Sequence, residues 1–215
     1  MSLTMSFDLI VATGETIYMV TLSSLFAILL GLPLGTLLYT SATIKPNKKL
    51  NNFIASLINI SRSIPFIILL VALIPFTRLI VGTSIGINAA IVPLTLGAAP
   101  FFARLVDNAY KSLSPGLIET SFSMGASAWQ TIRLILLPEA MPALIHAVTV
   151  TAITLVNYSA MAGTVGGGGL GDLAIRCGYQ RFNIVIMLAT VSILIILVQL
   201  LQMFGDYLAR RFSHN

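Results

Sequence analysis

Residues Glu119 to Pro138 read ETSFSMGASAWQTIRLILLP. The stretch holds Glu119-Thr120-Ser121, then Gly125, then Ile135-x-Leu137-Pro138. It is moderately polar, and long uncharged apolar runs flank it. A chain of apolar spans with one ordered polar segment on one side of a bilayer is expected to touch something there.

The flanking runs set the fold class. Hydrophobic residues make up 57% of the 215 residues and charged residues 9%; mean hydropathy is +0.96. A soluble domain carries about 25% charged residues. Uncharged runs of about 20 residues make transmembrane helices the default. Five spans are predicted, over residues 15–39, 53–76, 79–103, 138–162 and 183–205, in one all-α transmembrane domain covering 1–215. The first run is too long for a cleaved signal, and no basic flank precedes it. The second contains Arg62 and Pro65, and Arg62 is expected near an interface, with its head snorkelling to water.

The net charge of +5 forms no nucleic-acid patch, because the basic residues sort by loop. Lys45, Lys48, Lys49, Arg62, Arg104, Lys111, Arg133, Arg210 and Arg211 fall on one side, nine in all. Arg78, Arg176 and Arg181 fall on the other, three in all. The basic side is expected in the cytoplasm, with the N-terminus outside and the C-terminus inside. The Glu119 segment is then cytoplasmic. The single Cys177 excludes an intrachain disulfide and a cysteine metal site; it reads as a small packed residue.

Within residues 112–130 a short helix is predicted. Ser114 supplies a hydroxyl N-cap and Pro115 fills the first helical position. Gly125 is the stop, since glycine accepts left-handed backbone. About ten residues are too few for a helix to stand alone in water. Ile118, Phe122 and Gly125 form one expected apolar face; Leu117, Thr120, Ser121 and Met124 form a mixed second face. Two such faces fit packing on the chain itself and on a partner. An interfacial helix lying on lipid is the other reading, but those favour Lys and Arg, and none occurs between Lys111 and Arg133.

This spacing resembles the EAA loop of ABC importer permeases, with Glu, Gly, Ile, Leu and Pro in register and Thr120 and Ser121 in place of two alanines. The resemblance implies a coupling segment for an ATPase, with Ser114, Pro115, Glu119, Thr120, Ser121, Gly125 and Pro138 at the contact.

Farther along, Asn157-Tyr158-Ser159-Ala160-Met161-Ala162-Gly163 leads into Gly166-Gly167-Gly168-Gly169-Leu170-Gly171-Asp172. The glycines contain a Gly-x-Gly-x-x-Gly pattern, but no βαβ unit surrounds it, so it is not a dinucleotide site. Irregular backbone at membrane depth survives only where protein or water covers it. The run is therefore either a covered end of the fourth span or a flexible outer loop. Asn157, Tyr158 and Ser159 suit either a polar path or hydrogen bonds between helices. Met161 suits a gate that seals against varied contours, or plain lipid-facing bulk.

The stretch from Ser159 to Phe182, with its Gly-Tyr-Gln-Arg-Phe ending, and Arg62-Ser63-Ile64-Pro65-Phe66 resemble the methionine importer permease family. Glycine-betaine permeases share a shorter Gly-Gly-Leu-Gly element, so that substrate, or another amino acid, stays open. The resemblance implies a bacterial inner-membrane homodimer with two cytoplasmic ATP-binding subunits and an extracytoplasmic substrate-binding protein. It also implies that Met161 lines a closed gate; Asn157, Tyr158, Ser159 and Gly163 are the neighbouring candidates for the translocation path.

No other chemistry is visible. The acids Asp8, Glu15, Asp107, Glu119, Glu139, Asp172 and Asp206 fall near span ends or in loops, and Glu139 reads as the deepest. His146 reads as solitary and packed; His214 is near the C-terminus. No metal cluster, hydrolase elbow or Walker loop occurs, so no catalytic site or cofactor is expected. Ion-coupled carriers keep titratable relays inside their spans; their scarcity here favours work done by a partner ATPase. Five spans hardly enclose a path, and two copies would. Gly31-x-x-x-Gly35 is a weak dimer signal.

Overall fold

An apolar run without a basic residue builds α1, Leu3–Thr43, in the computed structural model, which describes residues 3–212. His214 lies outside the described residues. At 41 residues and about 1.5 Å per residue, α1 outreaches a hydrocarbon core of about 30 Å. It starts well before residue 15 because Phe7, Leu9, Ile10, Val11 and Ala12 continue the apolar pattern without a breaker.

The second expected span is not one rod. Asn47 caps α2, Lys48–Ser63, by accepting from the Leu50 N–H at 3.1 Å. Pro65 then forces Ile64 into extended backbone. The chain resumes as α3, Phe66–Ala72, bent 100° from α2, and then α4, Ile74–Val81. The third span, α5, begins at Ile87 rather than residue 79 and ends at Lys111. Gly82 and Gly86 cause the offset: both take positive φ, 83° and 102°, and interrupt an apolar sequence that hydropathy alone reads through.

Next come α6, Pro115–Ser123, α7, Ala128–Gln130, a π-helical turn, Thr131–Leu136, and α8, Leu137–Glu139. The long helix α9 runs Met141–Gly163. After it come α10, Gly169–Leu173, a second π turn, Ala174–Tyr179, and α11, Ile184–Phe212. No strand occurs among the described residues. Among the described residues four helices are long and apolar enough to cross a membrane, or five if α2 and α3 count as one bent span.

Helix α5 is the hub. In its most apolar window 56% of the residues are buried, against 11% for α11, which is peripheral. Between membrane helices close packing, rather than water exclusion, supplies the attraction. Accordingly α1 lies tightly on α5. A Cβ at Gly31 would come 2.7 Å from the Ala99 carbonyl, and one at Gly35 would strike Ala103 and Val106. These two glycines therefore serve a seam inside the chain, which corrects their reading as a dimer signal.

Candidate functional site

The polar segment closes one end of the bundle. Ser114 is the N-cap residue of α6 with extended backbone, although its hydroxyl makes no capping bond. Pro115 occupies the first turn. Met124 ends the helix, and Gly125 turns the chain with φ of 81°. Ser127 then starts α7 with a capping box: its N–H donates to Gln130 Oε1 at 2.8 Å, and the Gln130 N–H donates to its hydroxyl. The Ser-x-x-Gln spacing of residues 127–130 is the sequence signal for this cap.

The buried face of α6 differs from the expected one. Ile118 and Ser121 face inward, while Phe122 is 42% and Met124 82% exposed. The cause is a hydrogen bond. Ser121 and Thr131 hydroxyls meet at 2.6 Å, and Thr131 also donates to the Ser127 carbonyl. Its proton so used, Thr131 accepts from Ser121. This pair draws a polar residue inward and turns Phe122 out.

Glu119, Thr120 and Pro138 are exposed, as are Ser114, Pro115 and Gly125. An open groove of about 520 Å³ lies between α6 and the π turn with α8, walled by Ser114, Thr120, Ser121, Met124, Ile135 and Glu139. Of the seven residues expected at the contact, three line this groove; Ser121 lies at its floor. Glu139, expected to be the deepest acid, is exposed on its wall. The deepest is Asp107, fully buried in the last turn of α5. Its Oδ2 accepts from Lys111 at 2.8 Å and Arg104 at 3.2 Å. The shift of α5 toward Lys111 places it there.

At the opposite end α9 divides the five path residues. Asn157 and Met161 are exposed on one face. Ser159 is buried and donates to the Val156 carbonyl at 2.8 Å. Gly163 is buried against the backbone of Gly171 and Asp172, where no side chain would fit. Ser159 and Gly163 thus serve packing inside the chain. Tyr158 stacks on Phe66, with centroids 4.2 Å apart and planes within 2°.

The glycine run is a fastened corner. Gly166, Gly168 and Gly169 have positive φ. The Gly169 N–H donates to Glu15 Oε2 at 2.8 Å, and the Leu170 N–H donates to the Thr16 hydroxyl at 2.9 Å. The Gly86 N–H donates to the Gly166 carbonyl at 2.9 Å. Of the two sequence readings, the covered span end is the one observed. His146 is not solitary: its Nδ1 lies 3.8 Å from Asp206, which also accepts from Gln202 at 2.9 Å.

Comparison with known proteins places this geometry. Residues 27–214 match the family described as binding-protein-dependent transport system inner membrane component. The probable D-methionine transport system permease protein MetI of Vibrio cholerae serotype O1 is 53% identical over 209 residues, covering 96% of this chain and 93% of that protein. The D-methionine transport system permease protein MetI of Escherichia coli K12 is 54% identical over 165 residues, 76% of each chain. A chain from the solved inward facing conformations of the MetNI methionine ABC transporter superposes with a TM-score of 0.98, at 50% identity and 100% coverage of both chains.

Proposed function

The chain belongs to the binding-protein-dependent transport system inner membrane component family, and from that premise we propose that it is the permease subunit of an ATP-driven importer that carries methionine across the inner membrane by alternating access. The observation that carries this reading is α6: a short helix held on one side by its own chain, with a groove open on the other. Relatives with methionine transport in their names match over most of the chain. Glycine betaine and ion-coupled transport have no comparable support. Asp107, the buried acid, is neutralised by two cations and is poorly placed as a proton relay.

In this reading two copies form the path, two ATP-binding subunits dock under Ser114–Gly125, and an external receptor delivers the substrate. The sorting of basic residues puts α6 in the cytoplasm. Closure of the ATPases presses α6, and the Ser121–Thr131 pair passes the displacement to the π turn and α8. From there α9 is continuous to Gly163 and carries Asn157 and Met161 at its far end. A push under the membrane thus moves the gate.

The test is reconstitution in liposomes. With partner ATPase, receptor and ATP, labelled methionine should accumulate. Without the ATPase it should not. Accumulation driven by an ion gradient alone overturns the reading.

A further inference from the structure

Arg62 is a charged group that the proposed mechanism leaves unused. It lies in the last turn of α2, beside the bend at Pro65. Its guanidinium sits 5.9 Å from the centroid of the Phe101 ring. Phe101 is about 21 Å from one end of α5 and about 15 Å from the other, counting about 1.5 Å per residue. Phe101 is one turn from Arg104, so Arg62, itself exposed, lies just inside the charged end of α5. A cation at that depth faces water or protein, because hydrocarbon is too costly for it.

No acid neutralises it. The ion pairs among the described residues join Arg104 and Lys111 to Asp107 and Arg176 to Asp172, while Asp206 lies beside His146 and accepts from Gln202. Glu15 is held by Gly169. The acids left over, Asp8, Glu119 and Glu139, sit near the start of α1 or in the α6 region.

The space beside Arg62 is built. A pocket of about 120 Å³ is walled by Ser61, Arg62, Phe66, Gly97, Phe101 and Tyr158. At about 30 Å³ per water it holds about four waters, or one carboxylate with its hydration. The missing side chain of Gly97 keeps it open, since a Cβ there would come 3.3 Å from the Phe66 ring. Phe101 supports the guanidinium by its face and leaves the N–H edge free to donate, the geometry that suits a carboxylate. Tyr158 stacked on Phe66 ties this wall to α9, which also carries Met161.

We propose that the pocket at the α2–α3 bend is a carboxylate subsite on the transport path, where Arg62 holds the α-carboxylate of the amino acid in transit. The proposal rests on the importer reading above. It assigns the charged end of the substrate to Arg62 and leaves its apolar end to the exposed face of α9.

The experiment uses the full permease–ATPase complex with its receptor in liposomes and labelled methionine as probe. Arg62→Gln should lower methionine moved per ATP hydrolysed by tenfold or more, while receptor-stimulated hydrolysis stays within twofold. Arg62→Cys should behave alike, and a cationic aminoethyl thiol reagent should restore at least half of the uptake; an anionic sulfonatoethyl reagent should not. The unsubstituted chain with the same reagents controls for Cys177, which is buried. Three results overturn the proposal: an unchanged transport ratio in Arg62→Gln, a parallel fall of uptake and hydrolysis, or equal recovery with both reagents. If Arg62→Gln fails to assemble, the Arg62→Cys series decides. Should the unsubstituted complex move no methionine, the importer reading itself fails.

Discussion

The Ser121 hydroxyl lies 2.6 Å from that of Thr131, and both are buried. The pair joins α6 to the π turn that leads back into the bundle. Its two ends are not equivalent. Thr131→Val strips Ser121 of its acceptor and leaves a buried hydroxyl unpaired, at about 1–3 kcal/mol. Ser121→Ala leaves Thr131 still bonded to Ser127, so the loss is nearer about 1 kcal/mol. Thermal unfolding of the purified permease should rank Thr131→Val below Ser121→Ala, with the double variant above Thr131→Val. The reverse order would mean that the pair does not hold α6.

Gly125 has φ of 81° and open space around it. Substitution there therefore meets only the backbone penalty of left-handed geometry, about 1–2 kcal/mol for alanine. Asparagine should be milder, and proline, which needs negative φ, the worst. Recovery of the ATP-binding subunit on affinity-purified permease should fall in the order Gly, Asn, Ala, Pro. Equal recovery across the series would place the docking surface elsewhere.

The seam between α1 and α5 predicts a stability effect without an assembly effect. Gly35→Leu drives a side chain into Ala103 and Val106, and overpacking of this kind destabilises by about 1–3 kcal/mol or more. Unfolding temperature should drop, while the folded fraction keeps the oligomeric state of the original on size exclusion. Dissociation without a lower unfolding temperature would return these glycines to an intermolecular role.

Glu15 secures the glycine corner from α1. Glu15→Ala removes a charge-assisted acceptor whose contribution is about 1.5 kcal/mol at the low end. That corresponds to about tenfold faster hydrogen exchange at the Gly169 amide. Glu15→Gln keeps an acceptor oxygen and should exchange at an intermediate rate. Exchange unchanged in Glu15→Ala would show that the corner needs no such clasp.

What the sequence reveals depends on how far each cause reaches. The limits of α6 are readable because Pro115 and Gly125 act on their own backbone. The seam partner of Gly31 and Gly35 is not, since glycine spacing does not say which helix comes close. The glycine run stays ambiguous for the same reason: its acceptor Glu15 is 154 residues away. Hydropathy sees neither the 100° bend at Pro65 nor the left-handed turns at Gly82 and Gly86, so the second and third spans are misdrawn. At the candidate site, the exposed positions of α6 were largely visible. The inversion of its inner face was not, because a hydroxyl pair outweighed the apolar periodicity of Ile118 and Phe122.

The π turn over Thr131–Leu136 has a consequence for chain length. There the Leu137 N–H reaches back to Ile132, one residue beyond the usual helical partner. The turn is a helix carrying one surplus residue. Excising a single residue from it would let ordinary helical bonding close, with the stretches before and after keeping their phase. Adding one would leave a loop with nowhere to go. Kin that diverge in the interval from Gly125 to Pro138 should therefore shorten by one before they lengthen.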